Sequence, residues 1–454
     1  MQKNFHRFLR GVAAHGRPTR LARIILACAL GSTLASRPAE AADAVITVGA
    51  QPEGPVNRNV FGGAYNDVRG NKNDWAAMGL ATCREGTPGL GSPSRLQRTE
   101  GVWEWRDFDA WLDWLKTNQT TGIALLNEAS DWMMKGGKDK PADWDYFIKA
   151  WAEFAAGVVR HANIERKAGI RYWEIWNEPD GMHWFKSDWG GDPSHYSALF
   201  NAAAKAMKAV DPTIRIGTGG IADPWGGSLN SWFEPCLRDG GVNKTLDFVC
   251  LHGYYGDPTN NCWFATLDHT RELTRKYMGR EVPIWVTEFN ANSSENFVKL
   301  GTPFEKQAFY VAETLAIFAA ERVDAAQYFC VGWYGSDFCP WENAEGGKPR
   351  PVVSAYAFWS DYRGEKLPTT VTGADRLAAV ACRDKHTTTL YFPADHPGSY
   401  TVRFTHPVSR VQATASAFTE GKTETLAVAL KESAIRLDWP EGKRALVKIQ
   451  VEQK

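Results

Sequence analysis

The fold is decided by one stretch at residues 170–180, which reads IRYWEIWNEPD. Its first seven residues are mostly β-branched or aromatic, which is the composition of a buried strand. Pro179 then ends the strand, because proline lacks the N–H group that a central strand donates to its neighbour. Glu178 therefore stands where a buried strand ends. In α/β barrels the carboxyl ends of the strands carry the reactive groups.

A second glutamate has the same local setting. Residues 282–290 read VPIWVTEFN, an apolar run that contains Glu288 near its end. The two glutamates are 110 residues apart. At roughly 30–40 residues for each βα unit this gap spans three units, so the two strands are numbers 4 and 7 of a barrel if the first is strand 4. Strands 4 and 7 lie across the barrel mouth, so the carboxylates face each other. Retaining glycosidases use two carboxyl groups about 5 Å apart, one as acid/base and one as nucleophile.

The rest of the chain supports a barrel followed by a second domain. Eight apolar runs alternate with amphipathic segments, which is typical of a closed parallel sheet with outer helices. Helices are predicted from Pro193 to a point before Asp211, and from Phe304 to Glu321. Short strand-like runs after residue 367 predict a small β-sandwich. The predicted barrel strands are residues 60–64, 80–84, 122–126, 170–176, 214–218, 248–252, 284–287 and 326–331.

The two glutamate motifs resemble those of a known group. Residues 176–179 (WNEP) and 285–289 (WVTEF) are similar to the acid/base and nucleophile motifs of clan A glycoside hydrolases. The similarity is greatest to family 39 and covers residues 46–367. It implies an α/β protein with a (β/α)8 TIM barrel and a small C-terminal β-sandwich. The implied divisions are a signal peptide at 1–41, a catalytic barrel at 42–365 and a sandwich at 366–454, with the first mature strand joining the sandwich.

The resemblance gives roles to both glutamates. Glu178 is the predicted general acid/base and Glu288 the predicted nucleophile. A general acid must hold a proton, and apolar neighbours such as Trp176 or an opposed carboxylate favour that form. Glu128 also follows an apolar run but lacks the proline, and it is interpreted as either a substrate-binding or a structural residue.

Five further residues are expected to bind or orient the substrate. Asn177 matches the asparagine that binds the sugar 2-hydroxyl in the clan, and Arg84 matches the arginine that holds the nucleophile ionised. His252 and Tyr254 match a His-x-Tyr pattern whose tyrosine orients the nucleophile, although Tyr255 competes for that role. Trp333 matches the platform beneath the reacting sugar. The alternatives are a surface arginine for Arg84 and core packing for His252 and Trp333.

Composition limits the partners. Lys plus Arg and Asp plus Glu both total 52, so no excess of positive charge points to nucleic acid or an anionic membrane. A charged polysaccharide stays open, since a cleft can differ from the whole chain. The two carboxylates need no cofactor and no metal, and the expected partner is a polysaccharide or oligosaccharide. The oligomeric state stays open.

The N-terminal residues are typical of a targeting segment. Residues 1–23 are basic, residues 24–34 are apolar, and Ala39-Glu40-Ala41 matches a signal-peptide cleavage site. The apolar run is too short for a membrane span. Export to the periplasm or the extracellular space is expected. Cleavage leaves seven cysteines, with Cys330–Cys339 or Cys236–Cys262 as candidate disulfides and Cys250 and Cys330 as core residues.

Tryptophan is abundant, with 20 residues. Trp111, Trp151 and Trp359 are predicted to fill the core. Tryptophans in polar or Gly-rich loops suit the flat apolar faces of sugars, and they favour an open cleft that cuts within a polymer. The alternatives are an exo-glycosidase such as a β-xylosidase, a transglycosylase, or a catalytically silent carbohydrate-binding protein. The loop tryptophans are Trp132, Trp184, Trp189, Trp225, Trp263 and Trp341.

Overall fold

The barrel begins after a short N-terminal strand and occupies most of the chain. The computed structural model describes residues 42–65, 75–181, 192–374, 376–418 and 422–453. Within these ranges eight parallel strands form one sheet, and a bridge between Gly217 and Phe248 closes it. In chain order they are barrel strands 1 to 8: Gly62–Ala64, Thr82–Arg84, Thr121–Leu126, Tyr172–Ile175, Arg215–Gly217, Val249–Gly253, Ile284–Phe289 and Ala325–Tyr328. Each of the eight predicted strands overlaps one of them.

Helices surround the barrel strands, as the alternating pattern predicts. The predicted helices at 193 and 304 are confirmed as Pro193–Val210 and Phe304–Ala320. Asp192 caps the first of these, because its carboxylate accepts from the backbone N–H of Ser194. The remaining helices of at least four residues are Trp75–Met78, Pro93–Leu96, Arg106–Thr117, Asp131–Met134, Trp144–Val159, Arg160–Glu165, Pro224–Phe233, Glu234–Arg238, Cys262–Met278, Phe297–Leu300 and Pro351–Phe358.

Two β-sheets of the described chain pack together beside the barrel. The strand Ala42–Val48 pairs in parallel with Gly398–Phe404, so the first described strand joins the C-terminal sandwich. One sheet has the order Thr369–Thr372, Ala42–Val48, Gly398–Phe404, Ala434–Trp439 and Leu430–Lys431. The other has the order Glu424–Leu426, Val408–Ser416, Ala445–Gln453, Thr387–Ala394, Val380–Asp384, Glu365–Leu367 and Gly54–Pro55.

The barrel and the sandwich are joined by a partly exposed ion-pair cluster. Arg444 of the sandwich donates to both carboxylate oxygens of Asp257, at 2.7 and 2.9 Å, and to Glu313 at 3.0 Å. Asp257 lies in the loop after barrel strand 6, only three residues beyond Tyr254. The sandwich therefore braces one of the loops at the barrel mouth.

The burial of the tryptophans agrees with the predictions for the core and disagrees with two of the predictions for the loops. Trp111, Trp151 and Trp359 are buried in the core, as predicted. Trp263 and Trp341 are also buried, at 2% and 3% exposure, so their assignment to sugar-binding loops is wrong. The Trp263 ring packs edge-on against Phe318 and fills the space beside Gly253, where a Cβ atom would come within 2.3 Å of it. Trp184, Trp189 and the predicted signal peptide lie outside the described residues.

None of the seven cysteines in the described ranges forms a disulfide. All seven are buried, and neither of the two candidate disulfides is present. Cys250 and Cys330 are core residues, as predicted. No helix in the described part of the chain has the length and apolar character to cross a membrane.

Candidate active site

The interior of the barrel changes from apolar to charged along its axis. Near the amino ends of the strands, Tyr172, Phe248 and Trp285 pack ring against ring. Glu174 follows Tyr172 by two residues and therefore points the same way, into the barrel, one layer higher. The charged layer begins at that level and ends at the mouth with Glu178 and Glu288.

Glu178 sits in a strained turn at the end of strand 4. Trp176 and Glu178 both have left-handed backbones, with φ of 71° and 47°. Non-glycine residues seldom adopt this conformation, and such strain clusters at functional sites. The backbone N–H of Glu178 donates to the carbonyl of Gly220, which ties the turn to the segment after strand 5. The strand ends as the sequence predicts, and its terminal carboxylate is aimed by the turn.

Glu288 has partners on both carboxylate oxygens. Arg84 donates to Oε1 at 2.7 Å and the Tyr254 hydroxyl donates to Oε2 at 2.6 Å. The side chain is 7% exposed. Burial first, and then the adjacent Glu288, raises the pKa of Tyr254 well above its ordinary range, so the phenol keeps its proton and donates. Tyr255 instead contacts Thr266, so Tyr254 is the tyrosine that orients Glu288.

Arg84 is a buried hub with no exposed surface. Its closest partner is Glu174, which it contacts through Nε at 2.6 Å and Nη2 at 3.2 Å. Arg84 contacts Glu288, as the resemblance implies, but through a single hydrogen bond, whereas its bidentate partner is Glu174. Burial opposes the charged guanidinium, yet Glu174 and Glu288 outweigh it and raise the pKa of Arg84 well above its ordinary value.

Asn177 is oriented by the same hub. Its side-chain oxygen accepts from Arg84 Nη2 at 2.9 Å. A guanidinium only donates, so the amide oxygen must face Arg84 and the amide N–H groups point elsewhere. A fixed amide donor beside Glu178 is the arrangement expected of a residue that binds a sugar hydroxyl.

His252 lies between the two glutamates. Its Nδ1 is 2.9 Å from Glu178 Oε1 and 3.6 Å from Glu288 Oε2. Burial opposes the charged imidazole, but Glu288 and the hydrogen bond to Glu178 outweigh it and raise the pKa of His252. Gly220 makes room for the ring, because a Cβ atom there would lie 2.0 Å from Nε2. His252 is therefore part of the site rather than of the apolar core.

The carboxylates of the pair are close. One oxygen of Glu178, one of Glu288 and a ring nitrogen of His252 all lie within 4.8 Å of one another. This spacing is near the 5–5.5 Å of retaining glycosidases and below the 6.5–9.5 Å that leaves room for a water molecule in inverting ones. Within the part of the chain that the structure describes, these three residues are also the set that could hold a metal ion. Such an ion would compete with Arg84 and Tyr254, which already occupy both oxygens of Glu288.

Two predicted residues lie away from the carboxylate pair. The Glu128 side chain is exposed and accepts from the Ser94 hydroxyl at 3.3 Å, on the rim after strand 3. Trp333 is 43% exposed and packs on Phe329, which in turn contacts the Tyr254 ring. Trp333 thus stands at the mouth on the Glu288 side rather than in the core.

The sequence reasoning missed three buried acids near the site. Glu174 accepts from Arg84, Thr287 and the backbone of Gly220. Glu85 follows Arg84, and burial raises its pKa to about 8, against the effect of Arg84 and of backbone N–H groups. Asp180 binds the backbone of Ala222. The available signal for Glu174 was an ionisable residue in the middle of a predicted buried strand.

The site therefore defines a class: a (β/α)8 barrel with paired carboxylates at the ends of strands 4 and 7. The model of glycosyl hydrolases family 39 matches residues 102–331 of this 454-residue chain. The chain belongs to glycosyl hydrolases family 39, as the motifs predicted.

Two curated relatives are called β-xylosidase. The protein from Caldicellulosiruptor saccharolyticus is 28% identical over 245 residues, covering 48% of this chain and 47% of the relative. The protein from Geobacillus stearothermophilus is 27% identical over 267 residues, covering 51% and 49%. The chain thus spans about half the length of the curated relatives it matches.

Solved structures share the fold. A family 39 β-xylosidase from Caulobacter crescentus has a TM-score of 0.64 at 19% identity, covering 90% of this chain and 99% of that one. A glucosidase from Croceicoccus marinus has a TM-score of 0.64 at 15% identity, with the same coverage. The predicted barrel with a C-terminal β domain is confirmed.

Proposed function

We propose that this protein is a retaining O-glycoside hydrolase in which Glu288 is the nucleophile and Glu178 the acid/base. The observation that carries the proposal is the close but unequal pair of carboxylates. Glu288 is buried and receives hydrogen bonds from Arg84 and Tyr254, which suits an anion that attacks carbon. Glu178 is more exposed, at 17%, and faces His252, which suits a group that gives and takes a proton.

The reaction follows from these positions. A Glu288 oxygen attacks the anomeric carbon while Glu178 gives its proton to the departing oxygen, leaving a glycosyl ester on Glu288. Glu178, now ionised, takes a proton from water, and that water attacks the same carbon and releases Glu288. Asn177 is placed to hold the sugar 2-hydroxyl, and Trp333 to lie beneath the ring. Glu288 supplies the nucleophile and Glu178 supplies both proton transfers, so we expect activity to survive dialysis against EDTA.

The substrate class is a finer proposal. Two relatives are called β-xylosidase, so β-xylosides are the first glycosides to test. A screen of aryl glycosides and of plant and bacterial polysaccharides, with product sizing, identifies the sugar. The first product should keep the substrate's anomeric configuration by NMR, and an inverted first product would reject the mechanism.

We propose internal cutting of a polysaccharide as the mode of attack. Fewer exposed tryptophans support it than the sequence indicated, because Trp263 is buried and, within the described ranges, Trp225 and Trp333 are the exposed tryptophans. The names of the relatives favour release of single sugars as the second candidate. A sharp fall in viscosity with few new reducing ends supports internal cutting, whereas monosaccharide release at constant viscosity overturns it.

We also propose export, on the composition of residues 1–41. Mass spectrometry of the protein recovered from a secreting host should give a chain that begins near Ala42. Recovery of the intact chain in the cytosol would contradict it.

A further inference from the structure

The acid/base turn and the segment after strand 5 form one hydrogen-bonded unit. Asn177 bridges to Gly220 in parallel, and the Glu178 N–H donates to the Gly220 carbonyl at 3.1 Å. Asp180 accepts from the backbone N–H of Ala222 at 2.9 Å and of Asp223 at 3.3 Å. Asp180 is 4% exposed, and burial raises the pKa of its carboxyl against the effect of these hydrogen bonds. The position of residues 220–223 is therefore set by the turn that carries Glu178.

Trp225 projects from that unit into solvent. The helix Pro224–Phe233 starts directly after Asp223, whose carboxylate caps it at Gly226. The other large apolar residues of this helix, Leu229, Trp232 and Phe233, are buried. Trp225, by contrast, is 52% exposed.

Burial raises the pKa of Tyr255, in the loop after strand 6, and the adjacent Trp225 backbone opposes that rise. The segment that carries Trp225 therefore also lies against the loop after strand 6. Trp225 thus presents a large uncovered aromatic face from a hydrogen-bonded segment next to the acid/base turn. The exposed face has the chemistry to stack on the apolar C–H face of a sugar ring.

The proposed chemistry places the leaving group on the same side of the site as Trp225. The acid/base must reach the oxygen that leaves, so the leaving group lies on the Glu178 side of the scissile bond. Trp225 follows the segment that is hydrogen-bonded to the Glu178 turn, whereas Trp333 packs on Phe329, which contacts the Tyr254 ring beside Glu288. The two exposed tryptophans are therefore carried by elements on the Glu178 side and on the Glu288 side of the site.

We infer that Trp225 is the stacking platform for the leaving-group sugar, and that the leaving group of the natural substrate is itself a saccharide. This inference rests on the proposed function. It makes Trp225 a specificity-determining residue of that reaction, which selects a sugar over a small alcohol on the departing side.

The test compares two substrates of the sugar that the screen selects, beginning with xylose. The leaving group of xylotetraose is a saccharide, whereas the leaving group of β-xylosyl fluoride is a fluoride ion. In Trp225→Ala the ratio of kcat/KM for the tetrasaccharide to kcat/KM for the fluoride should fall at least tenfold. Trp225→Phe keeps an aromatic face and should recover most of that ratio. Leu300→Ala, at a residue 68% exposed in the loop after strand 7, is the control for loss of an exposed apolar side chain.

A second readout separates binding from a structural effect. With xylotriose added as acceptor, Trp225→Ala should divert less of the glycosyl-enzyme to transglycosylation than the wild type does, at an unchanged melting temperature. An equal fall on both substrates, or no fall on either, overturns the inference while leaving the proposed function in place. A wild-type enzyme that cleaves neither substrate of any sugar in the screen overturns the proposed function instead.

Discussion

The ends of barrel strands 4 and 7 carry the same residue in opposite surroundings. At strand 7, Glu288 still lies within the strand, beside a shift in the strand register, and is held by an arginine and a tyrosine, with both oxygens engaged. At strand 4, Glu178 lies beyond the strand in a left-handed turn and faces a histidine whose charge depends on pH. The difference teaches that the role of a carboxylate is set by its neighbours. One carboxylate is fixed and permanently compensated, and the other is placed to exchange a proton.

The largest expected effect comes from removing each carboxylate in turn. Glu288→Ala should lose more than about 10⁴-fold in kcat/KM on every substrate, about 5.5 kcal/mol in the barrier, because the attacking group is gone. Glu178→Ala should lose far less on an aryl glycoside whose phenol is a good leaving group, which needs little protonation. The measurement is kcat/KM across phenols of graded acidity.

Azide sharpens this comparison. It should rescue Glu178→Ala with retained configuration, and it should give an inverted product with Glu288→Ala. If Glu128→Ala gave the nucleophile's phenotype and Glu288→Ala stayed active, the two roles would be wrongly placed.

The next effect tests how far Arg84 balances the charge of the buried acids Glu174 and Glu288. Arg84→Met leaves Glu174 and Glu288 buried without their cation, which should lower the free energy of unfolding by about 3–5 kcal/mol. The measurement is urea unfolding followed by tryptophan fluorescence. Arg215→Met is the control, because Arg215 is 51% exposed and its ion pair with Asp247 should contribute under about 1 kcal/mol. An Arg84→Met protein as stable as the control would show that the two acids are not held as anions by Arg84.

Glu85 tests the charge balance around Arg84 through pH. Burial raises its pKa from 4.5 to about 8. Between these values the folded protein holds a proton that the unfolded chain has released, so this group makes stability fall as pH rises. Glu85→Gln needs no proton and should gain about 4 kcal/mol over the wild type at pH 8, and under about 0.5 kcal/mol at pH 4.5. The measurement is the stability of both proteins from thermal melts. If the difference between the variant and the wild type were the same at pH 8 and at pH 4.5, Glu85 would be ionised in the folded protein.

The smallest effect concerns one hydrogen bond to Glu288. Tyr254→Phe removes the donor to Oε2 and should lower kcat by about tenfold, roughly 1.4 kcal/mol, with little change in KM. Tyr356→Phe is the control, since it removes another buried hydroxyl, bonded to the Gly62 carbonyl at the first barrel strand. The idea fails if both variants lose activity equally.

The features predicted correctly from the sequence depend on residues that are close together in the chain. Apolar runs gave the eight strands, because a parallel strand buried on both faces needs a continuous apolar segment. The proline after Glu178 and the distance to Glu288 placed the two carboxylates at one end of the barrel. What failed depends on distant residues. Arg84 and Glu174 are 90 residues apart, and no local pattern states that they meet.

Two further cases show the same limit. Tyr254 and Tyr255 are neighbours with similar surroundings in the sequence, and only the course of the loop decides which one reaches Glu288. Trp263 follows a polar loop, yet it stands in the first turn of the helix Cys262–Met278 and faces inward. Helix direction, rather than the polarity of neighbouring residues, decides whether such a ring is buried.

The central claim is that Glu288 alone forms the bond to the sugar. The most direct test is trapping with a 2-deoxy-2-fluoro glycosyl fluoride of the sugar that the screen selects, followed by peptide mapping by mass spectrometry. The 2-fluoro group slows both steps and the fluoride leaves readily, so the glycosyl ester accumulates. We expect one label per chain, on Glu288. A label on Glu178 or Glu128, or continued turnover of this reagent with no labelled peptide, would contradict it.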